Sequence, residues 1–126
     1  MIAARSKHAA VAFDGCILVV GGSCGNRNYV DSVEVFSLPH NHRPMGQWTV
    51  LTSRTSMGQC ISLVVWQDRL FAFCSKDDSS NSIREFVPPA SQSAPSRKKF
   101  DNWLWAPLGR VDELDILRGA VLLHQL

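Results

Sequence analysis

Apolar and polar residues alternate along this chain in short runs, each closed by Gly, Asp, Asn, Ser or Pro. Period-two alternation in segments rich in β-branched and aromatic residues predicts strands, not helices. His8 to Phe13 is the first such run. Asp14-Gly15 then supplies the positive φ angles of a tight hairpin turn, and Cys16 to Val20 returns as the second strand. Gly21-Gly22 ends that strand, Ser23 to Asn28 is a polar loop, and Ser32 to Ser37 is the third strand. Pro39 and Pro44 bound a further loop, after which Trp48 opens a fourth strand running to about Leu51.

The same order of features then recurs. Phe13-Asp14-Gly15-Cys16-Ile17-Leu18-Val19-Val20 is echoed 53 positions later by Trp66-Gln67-Asp68-Arg69-Leu70-Phe71-Ala72-Phe73. Asp31-Ser32-Val33-Glu34-Val35-Phe36 returns 50 positions later as Asn81-Ser82-Ile83-Arg84-Glu85-Phe86. Trp48 has two candidate counterparts, Trp103 and Trp105, so the segment before the last strand has grown; residues 88–101 hold the insertion.

In these residues the chain resembles the kelch repeat family. Arg5, His8 to Phe13, Asp14-Gly15, Ile17 to Val20 with Gly21-Gly22, Ser32 to Phe36 and Trp48 follow the family motif. The second copy is degenerate: Cys74-Ser75 stands where the glycine pair belongs, and Gly58, not Arg54, is in register with Arg5. The resemblance implies an all-β fold, an incomplete kelch-type β-propeller. It would hold about two four-stranded blades plus the first strand of a third. Repeat 1 spans residues 5–51, repeat 2 spans 57–108, and 118–126 would start the third. Residues 111–126 are open to a second reading, because Leu114, Leu117 and Val121 share a helical face that Asp112 could cap. A blade buries its faces only against neighbouring blades, so two blades leave two apolar faces uncovered. Further blades are therefore expected, either in cis or by self-association.

Charge and composition narrow the function. With 13 Lys plus Arg against 11 Asp plus Glu, the net charge of +2 is too small to nominate a polyanion, and nucleic acid is disfavoured. Arg97-Lys98-Lys99-Phe100 with Trp103 and Trp105 is the one stretch that could stack single-stranded bases, and an exposed insertion explains its charges better. No run approaches the roughly 18–20 apolar residues of a membrane span, and no secretory signal is read, so a cytoplasmic protein with reduced thiols is expected.

Catalytic chemistry finds little support. Gly21 to Gly25 lacks the Lys-Ser/Thr pair of a phosphate loop. The cysteines form no C-x-x-C pair, and His40 and His42 read as solvated loop residues rather than as partners of Cys24 around a metal. Neither a metal nor another cofactor is expected. An enzyme on the same scaffold is the competing reading, through Cys24 beside Arg27 or a copper radical site. Tyr29 is the only tyrosine, and such a copper site is expected to use two. The resemblance implies instead a non-catalytic protein-interaction module, such as the substrate-recognising part of a ubiquitin-ligase adaptor or an actin binder. An adaptor would need a BTB domain supplied from before Met1. Family members that bind acidic peptides do so with arginines near the start of the first strand; Arg5, Arg54 and Arg118 occupy or adjoin that position. Asn26 and Arg27 join them from loop position alone.

Overall fold

The computed structural model describes residues 1–25, 28–30, 32–51, 59–75, 81–90 and 99–110. They form two four-stranded antiparallel sheets, with no helix among the described residues. The first blade contains β1 (Ala9–Phe13), β2 (Cys16–Val20), β3 (Val33–Ser37) and β4 (Gln47–Leu51). The second contains β5 (Gln59–Trp66), β6 (Arg69–Ser75), β7 (Asn81–Val87) and β8 (Leu104–Arg110). Each blade is a meander in which every strand pairs with its chain neighbour.

The hairpin turns form where the sequence places them. Asp14 and Gly15 both have positive φ, and so do Gln67 and Asp68 in the second blade, where no glycine eases the turn. Register settles the choice between the two later tryptophans. Phe36 stands opposite Trp48, and Phe86 stands opposite Trp105. The ring pairs match, at 5.0 Å and 4.8 Å between centroids. Trp105 is thus the counterpart of Trp48, and Trp103 belongs to the turn before β8.

The glycine pair acts as a strand terminator. Gly21 and Gly22 have positive φ, and a Cβ on Gly22 would lie 2.6 Å from the Ser6 carbonyl oxygen. In the second blade Cys74-Ser75 lacks this freedom, and β6 runs two residues further, pairing with β5 through Cys60 and Gln59 and with β7 through Ser82 and Asn81. Gly22→Ala should therefore cost at least about 1–2 kcal/mol from backbone strain alone, with the clash added. Gly25→Ala provides the comparison, since its φ is also positive but nothing lies within 4 Å of its would-be Cβ. The gap between the two denaturation midpoints measures the clash.

The core lies between the blades. Cross-strand partners share a face, so Ala9, Phe13, Cys16, Leu18, Val20, Val33 and Val35 line one side of the first blade. They pack against Leu63, Leu70, Ala72, Cys74, Phe86 and Trp105 of the second. Phe13 is the link: it stacks on Phe100 at 5.7 Å and meets Trp103 edge-on at 6.4 Å. Lys99 reaches back to the Asp14 carboxylate at 3.2 Å. The aromatic residues of the insertion are thus absorbed by the inter-blade core. Phe100 and Trp105 are buried, which removes them as a base-stacking platform. The proposed third-repeat segment, 118–126, and the helix-or-strand question over 111–126 lie outside the described residues.

Candidate functional site

Strand β3 carries one charged residue among apolar ones, Glu34, and its side chain is fully covered. Its partner comes from the segment before β1. Arg5 Nη2 donates to Glu34 Oε2 at 2.6 Å and to Ser32 Oγ at 3.0 Å, while Nη1 donates to the Gly21 and Ser32 carbonyl oxygens, each at 3.0 Å. The backbone N–H groups of Ile2 and Ala3 donate to Glu34 Oε1. Burial by itself would raise the Glu34 carboxyl. The two N–H donors and the guanidinium outweigh it and hold the group below its ordinary value of 4.5.

Gly21 and Ser32 are the two ends of the loop between β2 and β3, so one planar guanidinium fastens both. The loop then pairs with itself and with the N-terminal segment. Ser6 and Ser23 exchange backbone hydrogen bonds at 3.0 and 2.9 Å, Val30 N–H donates to Gly22, and Cys24 N–H donates to Asn28. Asn26 and Arg27 fall between the paired Cys24 and Asn28 and lie outside the described residues, as do Arg54 and Arg118.

Arg5 is therefore placed differently from the sequence expectation. It does not offer its charge to a partner; its side chain is 0% exposed, buried with Glu34 on the side of the first blade away from the core, where Glu34 shares a face with Val19 and Val50. The physical reason is Glu34, whose buried carboxylate needs a cation more than the surface does. Sequence reasoning missed Glu34, although a lone acid in Val33-Glu34-Val35-Phe36 breaks the apolar pattern and signals a buried partner. Cys24 is an exposed free thiol, and Cys16 and Cys74 are buried. His40 and His42 share the β3–β4 loop, with rings 6.3 Å apart. Among the described residues no three His, Cys, Asp or Glu side chains are grouped to hold a metal.

The second surface feature is apolar. On the side of the first blade away from the core lie Ala10, Ala12, Ile17, Phe36, Trp48 and Val50. On the far side of the second blade lie Val64, Trp66, Phe71, Phe73, Ile83 and Val87. The charged residues Arg69 and Glu85 on that far side pair with each other at 2.7 and 2.8 Å, and Arg69 also covers the Phe71 ring at 5.0 Å.

A four-stranded meander with a double-glycine stop after its second strand and a Phe–Trp pair across its last two strands is a recognisable unit, and the kelch motif matches the chain over residues 4–54. Over residues 4–54 the chain is similar to a kelch repeat. No curated protein matches the chain. Kelch repeats generally mediate protein–protein interaction, and the described sheets have the form of propeller blades that do not close into a ring.

Proposed function

We propose that this chain is a non-catalytic protein-binding module whose contact end carries the β2–β3 loop. The observation that carries the reading is the Arg5 clamp. A buried, four-hydrogen-bond anchor fastens the two ends of this loop, which lowers the ordering cost of binding. Asn26 and Arg27 follow Gly25 in the sequence of this loop, and an arginine guanidinium suits a carboxylate-bearing partner. Arg54 and Arg118 are the further arginines of the sequence that the reading assigns to the same partner. The partner class is thus an acidic protein or peptide met in the cytoplasm, as for a ubiquitin-ligase substrate adaptor or an actin-binding protein.

A fluorescent glutamate-rich peptide titrated against the full chain tests this. Binding should weaken several-fold in Arg27→Ala and weaken further as salt rises. Arg5→Lys keeps the charge and loses the fork. As a positioning change it should raise the dissociation constant while leaving the salt dependence unchanged. Equal affinity in wild type and Arg27→Ala would sink the proposal.

A further inference from the structure

The two open faces are not equivalent to each other; each is equivalent to one half of the interface already formed inside the chain. The repeat alignment maps Leu18 and Val20 onto Phe71 and Phe73, Phe13 onto Trp66, and Val33 onto Ile83. Leu18, Val20, Phe13 and Val33 are the first blade's contribution to the inter-blade core, whereas Phe71, Phe73, Trp66 and Ile83 lie on the second blade's open side. The opposite mapping holds as well. Ile17 corresponds to Leu70, Val19 to Ala72, and the Phe36–Trp48 pair to Phe86–Trp105. Leu70, Ala72, Phe86 and Trp105 are the second blade's half of the core, whereas Ile17, Phe36 and Trp48 lie on the first blade's open side.

We propose that a second copy of this chain covers these faces head to tail, the open side of its first blade seated on the open side of the second blade. The contact repeats the inter-blade interface within the chain and so continues an interface that already exists. Phe86 and Trp105 are 4% and 3% exposed in the core cluster that joins the two blades, where the first blade's Phe13 packs on Phe100 and Trp103 beside them. Their counterparts Phe36 and Trp48 are only half-buried. Trp66, 40% exposed, takes the place over them that Phe13 takes beside Phe100 and Trp103, the two rings that pack on Phe86. Leu38 and Met45, exposed on the β3–β4 loop, supply the apolar rim that Phe100 and Trp103 give the second blade. Arg69 and Glu85 neutralise each other on their own face, so the contact buries no unpaired charge from them. A heterologous contact of this kind closes into a ring when its rotation permits. At two blades per copy, two to four copies make a propeller of about four to eight blades.

The proposal concerns the faces and not the loops, so its test is independent of peptide binding. Analytical ultracentrifugation of the full chain at tens of micromolar should show a discrete oligomer, and a monomer overturns the proposal. Ile17→Glu disables one face and Trp66→Glu the other; both residues are partly exposed, at 36% and 40%, and should be replaceable without unfolding. Each variant alone should sediment as a monomer, and an equimolar mixture should form a heterodimer, because one intact face remains on each. If either variant still self-associates, or if the mixture stays monomeric, the head-to-tail contact is wrong. Far-ultraviolet circular dichroism monitors folding; should a variant lose its β signal, Val50→Lys and Leu104→Lys on the same two faces replace the pair.

Discussion

Glu34→Ala is expected to destabilise the chain by about 3–5 kcal/mol. The substitution strands the Arg5 guanidinium in a site with no exposure and removes the acceptor for the Ile2 and Ala3 N–H groups. Arg5 already carries one unpartnered buried atom, Nε, so it has little spare hydrogen bonding to fall back on. Urea denaturation at neutral pH measures the loss. The double variant Arg5→Met with Glu34→Leu should recover most of it, because an apolar pair of similar volume avoids the desolvation cost that the ion pair must offset. A loss under about 1 kcal/mol in Glu34→Ala would mean that the pair behaves as a surface salt bridge.

The same group sets an acid limit. Its pKa is lower in the folded chain than the ordinary 4.5, so the unfolded chain takes up the proton first as pH falls. The stability Glu34 contributes is fully present above about pH 4.5 and is lost as pH drops through the folded value. Glu85 shifts in the same direction, chiefly through its hydrogen bonds from Arg69, and being more accessible adds less. In Glu34→Gln the acid limb of the stability profile should flatten, and in Glu85→Gln it should persist.

Much of the architecture was legible in the sequence because strands, turns and glycine stops are local. Asp14-Gly15 and Gly21-Gly22 declare their backbone conformations in their own composition, and the 53-residue echo exposes the second blade even without its glycine pair. What the sequence hid was non-local. Arg5 reads as a surface cation until Glu34 is seen across the blade. Phe100, in a charged and polar stretch, reads as exposed until its positive φ turns the ring toward Phe13 and Phe86. Glu34 lies 29 positions from Arg5 and Phe13 lies 87 from Phe100, further than any window of pattern analysis spans.

Phe13→Ala is expected to cost about 3–5 kcal/mol and also to change the character of unfolding. Phe13 belongs to β1 by sequence and to the second blade's aromatic cluster by contact, so its ring is what the two sheets share. In stacked repeats stability is the sum of each unit's own term and the interface between neighbours. A single-blade sheet has one apolar face too many to be stable alone, so the wild-type blades should melt in one transition. Removing the ring weakens the interface term and leaves the hydrogen-bonded ladders intact. The second blade's signal, read from Trp103 and Trp105 fluorescence in a Trp48→Phe, Trp66→Phe background, should then separate from the far-ultraviolet transition. Phe100→Ala should do the same, and the double variant should fall short of additivity by about 0.5–1.5 kcal/mol, the coupling of one stacked aromatic pair. Coincident transitions in both single variants would place the link between blades elsewhere, in the aliphatic contacts of Leu18 and Leu70 rather than in the rings.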